Sequence, residues 1–112
     1  MATKTFEITE YKYGFFNGEA FKDKRMVTHL YQDDRHIAII NFQNEFNIPH
    51  TDDRGTISLY YRMEDLTGVI DMLRNEKPIF LHYDDRPKNA QAMLTTSKEP
   101  VGEGEISMQL EK

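Results

Sequence analysis

Three copies of the tripeptide Asp-Asp-Arg are the residues of this sequence most suited to chemistry, and they begin at Asp33, Asp52 and Asp84. Paired carboxylates bind hard cations such as Ca²⁺, Mg²⁺ and Mn²⁺, and nearby histidines shift the preference toward a transition metal. If the three loops converge in space, the sequence predicts a metal site. Its ligands would be the carboxylates of Asp33, Asp34, Asp52, Asp53, Asp84 and Asp85, with His29, His36, His50 and His82 nearby.

The same triplets also suit tight turns at the ends of strands. An aspartate carboxylate accepts hydrogen bonds from backbone amides two residues on, and aspartate tolerates left-handed dihedral angles. The arginine of each copy cancels one of the two negative charges that would attract a metal ion. None of the copies has the spacing of a Ca²⁺-binding loop. We therefore expect turns that are spread over the molecule, and the metal site is the alternative.

Aromatic and basic residues alternate near the amino terminus, as they do in proteins that bind single-stranded nucleic acid. Aromatic rings stack on bases, and basic side chains neutralise phosphates. The candidate residues are Tyr11, Lys12, Tyr13, Phe15, Lys24 and Arg25. A formal net charge of -5 at pH 7 opposes this function, because nucleic acid is itself negatively charged. Binding of single-stranded DNA or RNA is therefore a second alternative.

Catalytic motifs are missing from the sequence. The histidines lack metalloprotease spacing, the serines lack the glycine-flanked nucleophile turn, and no glycine-rich phosphate loop occurs. The chain has no cysteine, which excludes thiol nucleophiles, thiolate metal sites and disulfides. We expect a non-catalytic protein that uses no cofactor.

Contact with another protein is the function that the sequence favours. Gly68 is expected nearly opposite the apolar stripe of a predicted helix and beside Met72. Glycine costs about 1 kcal/mol relative to alanine in a helix, and close approach of a partner backbone would explain its presence. The expected contact residues are Gly68, Met72, Asn44, Asn47 and Arg54. We expect a homodimer, or a regulatory or accessory protein that binds another protein.

The elements that must position these residues follow from apolar periodicity. Strands are predicted over residues 5–13, 25–32, 36–42, 56–62, 78–84 and 90–97, with a seventh over 105–111. The alternation of the first strand changes parity near Thr9, which indicates a bulge. One amphipathic helix is predicted over residues 63–74, between the fourth and fifth strands. This order predicts an α+β fold, a mainly antiparallel curled sheet or small barrel of six to seven strands.

The length of 112 residues fits one globular domain over residues 1–112. The longest uninterrupted apolar stretch, residues 37–40, is far too short to span a membrane. The first residues lack the apolar run of a secretion signal. Because the chain also has no cysteine, we expect a cytoplasmic protein without a membrane partner.

Overall fold

The structure, a computed structural model, describes residues 3–17, 24–45, 47–86 and 89–97. The strands are β1 (Thr3–Ile8), β2 (Glu10–Phe15), β3 (Lys24–Gln32), β4 (Arg35–Gln43), β5 (His50–Thr51), β6 (Ile57–Tyr61), β7 (Ile79–Asp84) and β8 (Gln91–Thr96). A 3-10 turn over Met63–Asp65 leads into helix α1 (Leu66–Asn75). For these residues, an α+β fold with one helix and mostly antiparallel strands is confirmed. The predicted strand over 105–111 lies outside them.

The eight strands form two separate sheets. One has five strands in the order β2-β3-β4-β6-β5, and the other has three in the order β1-β7-β8. Among the described strands, only β4 and β6 pair in parallel. Neither sheet closes on itself, so the prediction of a small barrel was wrong. The short strand β5 was also missed, because two residues show no periodicity.

The chain passes from the smaller sheet to the larger one at Thr9. In β1 the side chains of Phe6 and Ile8 face the core, whereas in β2 the core-facing side carries Tyr11 and Tyr13. The Thr9 amide donates a hydrogen bond to the carbonyl of Tyr31 at 2.8 Å. The change of parity that predicted a bulge within one strand is therefore a change of sheet.

A single apolar core lies between the two sheets and α1. Strand β4, in the middle of the larger sheet, contributes Ile40 and Phe42, both fully buried. The helix buries the side chains of Val69, Ile70 and Leu73, which occupy one face because they recur every three to four residues. Packing in this core therefore determines which face of the larger sheet is directed inward.

A β-bulge between β3 and β4 determines which side chains lie on the opposite face of the larger sheet. Leu30 lies opposite Ala38, but the next residue, Tyr31, lies opposite His36. Ile37 is therefore the extra residue, and the bulge reverses the face on which His36 lies. As a result His36 joins His29 and Tyr31 on the face directed away from the core, which we call the outer face.

Candidate functional site

Three aromatic side chains form a row on β2, which we call the aromatic ladder: Tyr11, Tyr13 and Phe15. They lie on one side of the strand because successive side chains alternate between faces. The rings of Tyr11 and Tyr13 are stacked, with centroids 6.2 Å apart and planes at 10°. The rings of Tyr13 and Phe15 are also 6.2 Å apart, but they meet edge to face. The ladder is thus a continuous aromatic surface.

Exposure increases along the ladder. Tyr11 is half-buried against the core, whereas Tyr13 is 41% exposed and Phe15 is 66% exposed. Their register partners on β3, Leu30, Thr28 and Met26, are all fully buried. The apolar side of the sheet therefore extends past the core to its edge strand, where it faces solvent.

Arg74, in the last turn of α1, contacts the two tyrosines of the ladder. Its Nη2 donates to the Tyr13 hydroxyl at 3.5 Å. A hydrogen bond to Tyr11 and the nearby phenol groups of Tyr11 and Tyr13 raise the pKa of Arg74. Arg74 therefore lies beside the hydroxyl groups of both tyrosines. No sequence pattern indicates this contact, since Arg74 is separated from Tyr13 by 61 residues.

Strand β2 is an edge of the larger sheet. In the order β2-β3-β4-β6-β5, β3 is its only neighbour among residues 3–17, 24–45, 47–86 and 89–97. Unpaired amide and carbonyl groups along such an edge are available to another strand. The ladder and this edge together form the candidate site.

The basic residues predicted to share a site with the ladder lie elsewhere or are not described. Lys12 alternates with Tyr11 and Tyr13, so it lies on the outer face, opposite His29 of β3. Lys24 and Arg25 belong to β3, but their side chains are outside the described part of the structure. The alternation that looked favourable for nucleic acid in the sequence thus separates Lys12 from the rings.

The three Asp-Asp-Arg triplets do not gather at one place, although the turns at Asp33 and Asp52 lie at the same end of β4 and β6. The backbone amide of Asp33 bonds to Thr9 Oγ1 at 2.8 Å, whereas Asp84 lies opposite Thr3 at the far end of β1. At about 3.3 Å per residue, the length of β1 separates these two triplets by roughly 20 Å. Within the described residues, no group of three or more histidine and carboxylate side chains could hold a metal ion.

Each triplet makes a turn by one of the two means expected of aspartate. Asp33 and Asp34 have φ of 48° and 72° in the two-residue hairpin between β3 and β4. Asp52 Oδ1 accepts the amides of Arg54 at 2.8 Å and Thr56 at 3.0 Å. In the third copy, Asp84 Oδ1 accepts the Arg86 amide at 3.3 Å, and Arg86 Nε donates to Asp84 Oδ2 at 2.9 Å.

Substitutions in two of these turns are expected to act in opposite directions. Asp34→Gly should raise the free energy of unfolding by up to about 1 kcal/mol, because glycine adopts left-handed angles without a Cβ penalty. Asp52→Ala should lower the melting temperature, because the amides of Arg54 and Thr56 lose their acceptor. Scanning calorimetry measures both effects. A shift of both variants in the same direction would contradict this account of the turns.

The Asp52 turn also predicts a dependence on pH. The amide of Thr56, followed by that of Arg54, lowers the pKa of Asp52. The stabilisation is therefore present above the pKa of this carboxyl in the unfolded chain and is lost as the pH falls through its folded value. Asp52→Ala should accordingly lose less stability on acidification than the parent chain.

The predicted contact residues do not form one surface. Asn44 follows the end of β4, whereas Arg54 precedes β6, which runs parallel to β4, so the two lie at opposite ends of this pair. Asn47 lies near Asn44 and lines a cavity of about 450 Å³ with Pro49 and Tyr60. On α1, Gly68 is exposed and a Cβ there would meet no atom within 4 Å, whereas Met72 is half-buried.

Comparison with protein-family models, curated proteins and solved structures finds no match. Among the described residues, no helix is long and apolar enough to cross a membrane.

Proposed function

We propose that this protein is a non-catalytic regulatory or accessory protein that acts through protein contact as a homodimer, joined at the β2 edge. One observation carries the proposal: the aromatic ladder lies on an edge strand, and the edge of β2 that is remote from β3 pairs with no described strand. Folded proteins usually protect such edges with proline, charged side chains such as lysine, bulges or very short strands, and of these β2 has Glu10 and Lys12. Strand β2 has six residues and no proline, and its core-facing side is aromatic.

Antiparallel pairing of β2 with a second copy would extend the aromatic ladder across the interface. A twofold axis at Tyr13 places this residue opposite itself and places Tyr11 opposite Phe15 of the second copy. Cross-strand aromatic pairs stabilise a sheet by about 0.2–1 kcal/mol each. A twofold axis at Lys12 would place this residue opposite its own copy, and like charges in that position are destabilising.

Contacts within the ladder support this function. Arg74 bonds to Tyr13 and stacking joins Tyr13 to Tyr11, which reduces the side-chain freedom that remains to be lost when a second surface covers the rings. Loss of such freedom is one of the main costs of association. Large aromatic side chains at the centre of an interface also contribute a large share of the binding energy.

Binding of single-stranded nucleic acid is less well supported, because Lys12 lies on the opposite face from the ladder. Arg74 is the cation beside the rings, and the net charge of -5 opposes attraction of phosphates.

The location that we propose is the cytoplasm. A chain without cysteine is compatible with this reducing compartment.

Sedimentation equilibrium tests the proposal directly. The full-length chain, examined from micromolar to millimolar concentration, is expected to pass from monomer to dimer and to form no larger species. A monomer throughout this range would overturn self-association. A fluorescent oligonucleotide at low salt tests the alternative, and we expect no change in its anisotropy at tens of micromolar protein.

A further inference from the structure

We propose that His29 and His36 form a two-histidine chelate for a transition-metal ion on the outer face of the larger sheet. The two residues come from neighbouring strands, β3 and β4, and are seven positions apart in the chain. His29 is half-buried and His36 is exposed, so an ion from solvent can reach both rings. This site is distinct from the carboxylate site considered for the Asp-Asp-Arg triplets.

The distance between the two rings fits a shared ion. His29 Nδ1 and His36 Nε2 lie 3.1 Å apart. Zinc binds imidazole nitrogen at about 2.0–2.1 Å, so two nitrogens on one ion at octahedral to tetrahedral angles are roughly 2.8–3.4 Å apart. Without an ion, the same distance accommodates one N–H···N hydrogen bond. Binding would replace that hydrogen bond and would turn the two nitrogen lone pairs from each other toward the ion, at nearly the same distance between the nitrogens.

The β-bulge at Ile37 creates this pair. If β3 and β4 kept one register, His36 would share the face of Ala38 and Ile40, which are fully buried. The bulge instead places His36 opposite Tyr31, with the two ring centroids 5.3 Å apart. Bulges that redirect a single side chain are frequent beside functional sites.

Neighbouring charges and ligand chemistry define the class of metal. Lys12 lies near His29 and opposes a cation, whereas Asp52 lies near His36 and favours one. Two neutral imidazoles suit Cu²⁺, Ni²⁺ and Zn²⁺, whereas Mg²⁺ and Ca²⁺ require oxygen ligands. Water would complete the coordination, because the described residues bring no third histidine or carboxylate to the pair.

Calorimetric titration of the full chain, without an added histidine tag, tests the site. We expect one Cu²⁺ or Zn²⁺ ion per chain, tighter binding of Cu²⁺ than of Zn²⁺, and no binding of Mg²⁺. Loss of outer-sphere partners already weakens metal sites by about 10–100-fold, so His36→Gln, which removes a ligand, should weaken binding at least about tenfold. His29→Gln should do the same.

The chain provides two matched controls. His50 lies on β5, stacked on Tyr60, and His82 lies on β7, bonded to Thr5 and Thr95. His50→Gln and His82→Gln should bind the ion as the parent chain does. Unchanged binding in His36→Gln, equal losses in the control variants, or no binding of Cu²⁺ or Zn²⁺ at millimolar metal would each overturn the proposal.

A spectroscopic measurement keeps the test informative if a variant is unstable. In the parent chain, substoichiometric Cu²⁺ should broaden the amide NMR signals around His29 and His36 before those around His50 and His82. Broadening centred on any other part of the chain would contradict the assignment.

Discussion

The double variant Tyr13→Ser/Phe15→Ser is expected to weaken self-association by at least about 100-fold. Truncation of an aromatic residue at the centre of an interface typically costs about 2 kcal/mol or more, which is roughly 30-fold in affinity. Such effects are not additive, so about 100-fold is a conservative figure for the pair. Sedimentation equilibrium across the same concentrations as for the parent chain measures the change.

Exposed apolar side chains elsewhere provide a control for this variant. Met93 is 57% exposed on β8 and Ile48 is 47% exposed in the loop before β5. A Met93→Ser/Ile48→Ser variant removes comparable apolar surface away from the ladder, so its dimer affinity should match that of the parent chain. If the control dissociates as readily as the ladder variant, association depends on general surface hydrophobicity and the assignment to β2 fails.

Replacement of Phe42 by alanine is expected to lower the free energy of unfolding by about 3–5 kcal/mol. The side chain is fully buried at the centre of the larger sheet, and its ring stacks on Tyr61 at 6.1 Å. Removal of a buried phenylalanine loses its transfer free energy and leaves a cavity that neighbouring side chains fill only in part. Urea denaturation measures the loss.

Phe15→Ala is the matched control, since the same substitution is made on the same sheet at a position that is 66% exposed. Measured where the chain is monomeric, it should change the free energy of unfolding by no more than about 0.5 kcal/mol. A loss similar to that of Phe42→Ala would mean that Phe15 belongs to the core of the monomer. The ladder would then not be available as a contact surface.

The sequence carries enough information to predict most elements of the fold. In β4, apolar residues on both parities predict a central strand, and β4 lies in the middle of the five-stranded sheet. The parity change near Thr9 is visible, but it does not reveal that the chain enters a second sheet there. Such a transition depends on long-range pairing, here of β1 with β7 and of β2 with β3, which periodicity within one segment does not encode.

The candidate site is less accessible to sequence reasoning. Tyr11, Tyr13 and Phe15 are recognisable as a same-parity aromatic row, but their position on an edge strand follows only from the sheet order. The contact with Arg74 joins distant segments. His36 is placed beside His29 by a bulge, and strict alternation would assign it to the opposite face.

The ladder and the histidine pair can be tested independently, because they lie on opposite faces of the same sheet. Tyr13 shares the face of the buried Thr28, its partner on β3, whereas His29 shares the face of Lys12. Substitutions at Tyr13 and Phe15 should therefore leave metal binding unchanged, and His36→Gln should leave dimer affinity unchanged.

The most direct test of the proposed interface is an isotope-filtered NMR experiment on a mixture of labelled and unlabelled chains at a concentration where dimer is expected. Intermolecular contacts should connect the Tyr13 ring to its own copy and the Tyr11 ring to Phe15 of the second copy. Intermolecular contacts that omit these rings, or none at all at millimolar concentration, would contradict pairing through β2.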